Sequence, residues 1–328
     1  MSPKEFRERF IRLLTEIHWR QWAALGVSSN VTPETKRVID LEGTIASTIV
    51  IGLLDRRLLS VSLEWLIENG EWVSFSRLRR IARVFTRPLS PGGGPILGTG
   101  HFKLVAGTLR QFGKRAFNVD RWSLEPGSSA SLKQYEEAFS AFRTREVVTE
   151  PNIRQPSLLQ LMARSIFGLD ARAESFVYLL LNRGGNSNSI ARAMYCEQKS
   201  IYRILEKWKK AGLVERGDRD YSLRKREDWL ELLGFDERPL GLNWIIAYLT
   251  FGELTRKLSD RVWIDDEYLF SSLFRDRVKQ VRVLGESLHV EIPDPSLHLG
   301  GAYFEPFAEA LLEILQILTR PTPGFQGD

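Results

Sequence analysis

Cysteine is nearly absent from this 328-residue chain. There is one, Cys196, so an internal disulfide framework is excluded. It sits between two helical patterns, where a small apolar side chain suits packing better than thiol chemistry. Histidine is also scarce. His18, His101, His289 and His298 show no metal-ligand spacing with Cys196 or with carboxylates, and a proline-rich turn separates the last two. No metal and no cofactor are therefore expected. Long hydrophobic runs are missing too. The longest, around 45–54 and 242–251, are too short to cross a bilayer. Residues 1–9 carry spread charges rather than a signal-type apolar core. A cytoplasmic protein with no membrane role is expected.

Catalytic motifs are likewise lacking. The stretch 87–100, Arg-Pro-Leu-Ser-Pro-Gly-Gly-Gly-Pro-Ile-Leu-Gly-Thr-Gly, invites a phosphate-loop reading. Such a loop ends in Gly-Lys-Ser/Thr, whereas Gly98 is followed by Thr99 and Gly100. Its prolines and glycines predict a loop or linker instead. No Gly-x-Gly-x-x-Gly follows a strand, and neither a nucleophile elbow nor His-Glu-x-x-His is present. The acidic run Asp265-Asp266-Glu267 reads as the start of a helix, where carboxylates meet the positive end of the dipole. No catalytic residue emerges, and no enzyme is expected.

Charge is abundant and segregated. The composition is 43% hydrophobic and 27% charged, with a formal net charge of +5. Residues 183–226 hold 12 Lys/Arg against 5 Asp/Glu, and residues 71–121 hold 10 against 2. The remainder is therefore net negative. Residues 236–328 contribute 9 basic and 15 acidic side chains. Two basic surfaces suggest a polyanionic partner.

Hydrophobic spacing predicts helices through most of the chain. The first runs over 3–25, with Phe6, Phe10, Leu13, Leu14 and Ile17 on one side and Trp19 and Trp22 as core or interface anchors. Further helices are expected over 40–53, 57–69 and from Val73 to Phe85. Residues 101–121 mix basic side chains with Phe102, Phe112 and Phe117. They suit a helix packed on the first domain or a stacking surface for single-stranded bases. After a break at 124–130, helices are expected over 132–142 and 157–167, the second capped by Ser157. The C-terminal part offers helices around 244–249, 265–283 and 304–318.

The most informative stretch is 170–223. An apolar helical segment over 171–182 ends at Gly184-Gly185. Ile190, Ala191 and Met194 then share one face, and Ile201, Ile204, Leu205 and Trp208 a second, with only Tyr195 and Cys196 between them. Gly212 stops the second helix. Leu213-Val214 and Tyr221-Ser222-Leu223 can pair as a hairpin around Gly217-Asp218. With its pattern Ile-Ala-Arg-Ala-Met, then a turn, then Lys-Ser-Ile-Tyr-Arg-Ile-Leu, then Lys-Ala-Gly-Leu-Val-Glu-Arg, this segment resembles the winged helix-turn-helix regulators of bacteria and archaea. The resemblance covers 171–223, about one sixth of the chain. The family usually has glycine in the turn where this chain has Tyr195, which predicts a wider turn.

The resemblance implies that the exposed side of the second helix reads bases. That assigns Gln198, Lys199, Ser200, Tyr202, Arg203 and Lys207 to DNA, with Gln suited to adenine and Lys or Arg to guanine. Asn188 or Ser187 would cap the helix before it and present N–H groups to a phosphate. Arg216 and Arg219 flank the hairpin tip, and Arg224 follows it. A second basic surface is expected at Arg77, Arg79, Arg80, Arg83, Lys114 and Arg115. Its arginines would point outward while Leu78, Ile81, Ala82 and Phe85 face in.

The expected fold is mainly α. A central winged helix-turn-helix with a small β-hairpin wing is flanked by N- and C-terminal helical domains. The expected divisions are an all-helical domain over 1–88, a Gly/Pro-rich linker and basic helical segment over 89–150, the winged unit over 151–235, and a helical dimerisation or partner-binding domain over 236–328. Three functions fit. One is a transcriptional regulator binding double-stranded DNA as a homodimer. The second is an antitoxin-like or scaffold protein that holds a partner protein through its helical flanks. The third is an RNA or single-strand binder using the 77–121 surface.

Overall fold

The computed structural model describes residues 1–88, 94–114, 118–119, 122, 129–235, 238–258 and 266–320. Arg115, Phe117, Asp265, the 89–93 part of the Gly/Pro stretch and the break at 124–128 lie outside them. The fold is mainly helical, 66% helix, with one two-stranded antiparallel sheet among the described residues. The N-terminal helices are α1 (Pro3–Ala24), α2 (Leu41–Ile51), α3 (Arg56–Asn69), α4 (Phe75–Phe85), α5 (Thr99–Gln111) and α6 (Ser129–Ser140). Next come α7 (Leu159–Phe167), α8 (Ala171–Leu181), α9 (Ser187–Ala193) and α10 (Gln198–Lys210). The hairpin β1 (Val214–Arg216) and β2 (Tyr221–Leu223) follows, then α11 (Arg226–Leu232), α12 (Trp244–Leu258), α13 (Glu267–Leu288) and α14 (Phe304–Thr319).

Short polar side chains start many of these helices by accepting hydrogen bonds from otherwise unpaired N–H groups. Ser2 serves α1, Asp40 serves α2, Asp55 serves α3, and Asp266 serves α13. The expected Ser157 cap does not form. A 3-10 turn over Pro156–Leu158 precedes α7, and the Ser157 Oγ is buried without a partner. Here the proline-led turn, not a side-chain cap, sets the chain direction.

Helix α2 has no solvent-facing side, and such a helix is stable only when surrounded. Every residue from Leu41 to Ile49 is buried. Gly43 lets α12 approach closely, since a Cβ there would lie 2.6 Å from the Ile245 Cδ1. Tyr248 of α12 donates to Gln21 of α1 at 2.6 Å and is 2.9 Å from the Thr44 hydroxyl of α2.

Two cores result. The larger joins α1–α6 with α12–α14. Phe6 meets Phe270, Phe274 and Phe304 edge-on, with centroids 5.9, 5.6 and 5.9 Å apart. The helical stretches expected as separate units at either end thus share one core. The apolar stripe of α1 finds its cover on α14, and burying a Phe side chain is worth about 1.5–3 kcal/mol. The smaller core gathers Leu159 and Ala163 of α7 with residues of α8, α9, α10 and the hairpin.

Candidate nucleic-acid interface

The smaller core supports a compact unit built from α8 to β2. Gly185, between α8 and α9, makes a two-way bridge with Tyr221. Its N–H donates to the Tyr221 carbonyl at 3.0 Å, and Tyr221 returns one at 2.9 Å. The chain thus runs helix, bridge, helix, helix and hairpin. Asn186 caps α9, its Oδ1 accepting from Asn188 N at 3.1 Å and Ser189 N at 2.9 Å. Asn188 and Ser187 are therefore helical residues, not the cap. Asn186 has the extended backbone that a cap requires.

The turn from α9 to α10 occupies residues 194–197 and is tight. Tyr195 adopts the left-handed conformation with φ +53°. That placement costs about 1–2 kcal/mol for a residue with a Cβ. The return lies in its side chain, which packs against the larger core. Cys196 is half-buried. Burial pushes its thiol up to about 12, with Glu174 adding to the effect, so it stays protonated.

Helix α10 turns Ile201 and Leu205 fully inward. Gln198, Lys199, Tyr202, Arg203, Lys207, Lys209 and Lys210 are exposed, and Ser200 is half-buried. Thirteen residues make a rod about 20 Å long. Two of the expected readers are already engaged. Gln198 donates to Ser187 Oγ at 2.8 Å, and Ser200 donates to the Glu197 carboxylate at 3.0 Å.

The hairpin pairs Val214 with Leu223 and Arg216 with Tyr221. Its loop is Gly217-Asp218-Arg219-Asp220, closed by the Gly217 N–H on the Asp220 carbonyl at 2.9 Å. Arg219 is exposed but stands between two aspartates, so the loop is net negative. Arg216 lies 3.7 Å from Glu206 and 5.4 Å over the Tyr221 ring. Tyr221 in turn donates to Glu206 at 2.5 Å. Arg224 is exposed, its guanidinium lying near Gly212, where α10 ends with φ +75°. The densest free positive charge of this unit is therefore on α10 and not at the loop.

Arg77 is not a surface residue. It is only 1% exposed. Its guanidinium grips Asp40 through Nη1 at 2.7 Å and Nη2 at 2.5 Å, and Nη1 also reaches Glu42 at 2.7 Å. Position 77 lies one helical turn before Ile81, on the inward stripe rather than opposite it. Arg79, Arg80 and Arg83 are half-buried, and Lys114 is exposed. The expected second basic surface loses its first member.

Arg77 belongs to a buried ionic hub that joins the two cores. Arg164 of α7 donates to both Glu42 oxygens at 2.8 Å and to Glu174 of α8 at 2.6 Å. Gln160 donates to Glu174 at 3.1 Å and accepts from Leu41 N at 2.9 Å. The Arg77 Nε donates to the Met194 carbonyl at 2.8 Å, which ties the α9–α10 turn to the helical body. Burial opposes charge on Glu42, but Arg164 and Arg77 overcome it and hold the carboxyl at about 2. Sequence reasoning missed Asp40, Glu42, Gln160, Arg164 and Glu174. The available signal was an isolated charge inside an apolar helical run, as in Leu-Gln-Leu-Met-Ala-Arg164.

Comparison with known proteins finds no matching family model, no matching curated protein and no matching solved structure. Among the described residues, no helix is long and apolar enough to cross a membrane, and no cluster of metal-binding side chains occurs.

Proposed function

We propose that the chain is a transcriptional regulator whose residues 171–223 form a winged helix-turn-helix, with α10 as the reading helix in a duplex major groove. The observation that carries this reading is the exposed face of α10. It presents Gln198, Lys199, Tyr202, Arg203 and Lys207 on a helix braced by its own small core. The order of helix, strand-like bridge, helix, helix and hairpin supports it, as does the excess of Lys/Arg over 183–226. Residues near the start of such a helix meet base edges, while later basic residues meet phosphates.

Fluorescence anisotropy with the duplex upstream of the chain's own gene tests this, against scrambled duplex and single strand at two salt concentrations. Selective duplex binding with a steep salt slope is expected, because phosphate contacts release counterions. Arg203→Ala is expected to cost about 1–3 kcal/mol, and combining it with Lys199→Ala is expected to abolish selectivity. Equal weak binding to all three nucleic acids, or no effect of the double substitution, overturns the reading.

A second reading, binding of a partner protein through the helical flanks, is favoured by one observation. Tyr268, Leu297 and Leu299 in the acidic C-terminal part are 66%, 79% and 87% exposed. The same surface suits a second copy of the chain, as a homodimeric regulator requires.

A further inference from the structure

A cavity of about 320 Å³ opens where the helical body meets the α8–α10 unit, within the size range that holds small ligands. Its wall draws on Asp40, on Tyr178 and Asn182 of α8, on Met194 at the end of α9, and on Gly241 and Asn243 before α12. Apolar side chains, Trp244 and Leu181 among them, complete it. Among the described residues no Lys, Arg or His lines it, and Asp40 is its one charged residue.

Asp40, Asn182 and Asn243 bring a carboxylate and two side-chain amides to the cavity lining. The Asn182 amide donates through Nδ2 to the Tyr178 carbonyl at 2.8 Å, and its Oδ1 makes no bond within the described residues, at an exposed position. The Tyr178 hydroxyl lies beside Gly185 instead, and its residue lines the cavity. The Asp40 side chain is 16% exposed. Behind it stands the hub, with carboxylates Asp40, Glu42 and Glu174 against guanidiniums Arg77 and Arg164. Three anions facing two cations leave one negative charge uncompensated within the hub. An anion is disfavoured there, and a cation that can donate two or three hydrogen bonds is favoured.

We propose that this cavity binds a small organic amine, with its apolar body against Leu181 and Trp244 and its ammonium directed to Asp40 and Asn182. The site also has a mechanical consequence, which rests on the DNA-binding reading. Asp40 holds Arg77, and Arg77 holds the Met194 carbonyl. An occupant touching both Asp40 and Met194 bears on where the α9–α10 turn sits against the body.

Calorimetric titration of the full chain with phenethylamine, 2-phenylethanol and phenylacetate tests the proposal. The amine is expected to bind at least about tenfold more tightly than the alcohol, and the carboxylate not to saturate. Gly241→Leu places a side chain beside Leu181, 3.5 Å from the position of its Cβ, and is expected to weaken the amine about tenfold or more. Asn243→Asp keeps the acceptor that serves Ile246 N and adds a carboxylate. It is expected to strengthen the amine alone, and it carries the test if Gly241→Leu does not fold. Equal binding of amine and alcohol, or amine binding that neither variant moves, overturns the site. In duplex titrations, phenethylamine is expected to shift affinity at least about threefold. Amine binding without that shift overturns the coupling. Amine binding by a chain that binds no duplex leaves the cavity and removes the DNA reading.

Discussion

At the scale of the residue, Glu42 and His18 govern the response to acid by different routes. Glu42 is held near 2 because the favourable contacts of Arg164 and Arg77 outweigh its burial. Its stabilisation is present above the ordinary carboxylate range and fades as pH falls from about 4.5 toward 2. His18 is fully buried, and burial lowers its pKa to about 4 despite the Leu14 carbonyl. Nδ1 lies 2.8 Å from that carbonyl and therefore donates to it, so the neutral ring's Nε2 accepts from Ser47 at 2.9 Å. The unfolded chain takes up a proton near pH 6.5 that the folded chain refuses. Stability contributed by neutral His18 is thus complete above pH 6.5 and falls by about 3 kcal/mol as pH drops to 4. Denaturant unfolding across pH 7 to 3 should show both limbs. His18→Gln should flatten the upper one and leave the lower one in place. Glu42→Gln removes the buried carboxylate that both Arg77 and Arg164 contact and should cost about 3–5 kcal/mol at pH 7. A loss under about 1 kcal/mol would mean that the hub contributes little.

At the scale of the element, α10 and the hairpin divide the work unequally. The helix presents several free cations, whereas the hairpin spends Arg216 on Glu206 and Tyr221 and surrounds Arg219 with Asp218 and Asp220. Under the DNA-binding proposal, Arg219→Ala should change duplex affinity little. Asp218→Asn with Asp220→Asn should strengthen it without changing sequence preference, since removal of repulsion from phosphates is not base-specific. Anisotropy at two salt concentrations checks both, and weakened binding in the double variant would show that the aspartates serve the interface. The hairpin itself was legible in the sequence as two apolar pairs about a glycine. The turn before α10 was not. Tyr195 was expected to widen it, yet Tyr195 takes the left-handed backbone directly. The reason is tertiary, because its side chain needs the larger core on which to pack.

At the scale of the whole molecule, the two ends of the chain close on each other. Phe6 of α1 sits among Phe270, Phe274 and Phe304, so removal of α14 would strip the first helix as well. The unit at 171–223 hangs from this body through α7 and the hub. The proposed homodimer has a natural seam at Tyr268, Leu297 and Leu299, apolar side chains that a solitary chain leaves in water. Light scattering of the pure chain should give twice the monomer mass. Leu297→Asp with Leu299→Asp should halve it while unfolding cooperatively at nearly the same temperature. A monomeric parent chain would discard the dimer.

Some of this was fixed locally and was therefore open to sequence reasoning. Helix periodicity, the acidic helix start at Asp266, and the outward position of Lys199 and Arg203 depend on neighbours three or four places away. Other features depend on partners far along the chain. Arg77 reads as one more exposed arginine until Asp40, Glu42 and Glu174 surround it. Folding takes these charges out of water together, and only in that company can an arginine on an inward stripe remain charged. The shared core of the two ends and the cavity beside Asp40 arise in the same way. Helical periodicity says which face of α1 or α12 is apolar, and only the packed structure decides what covers it.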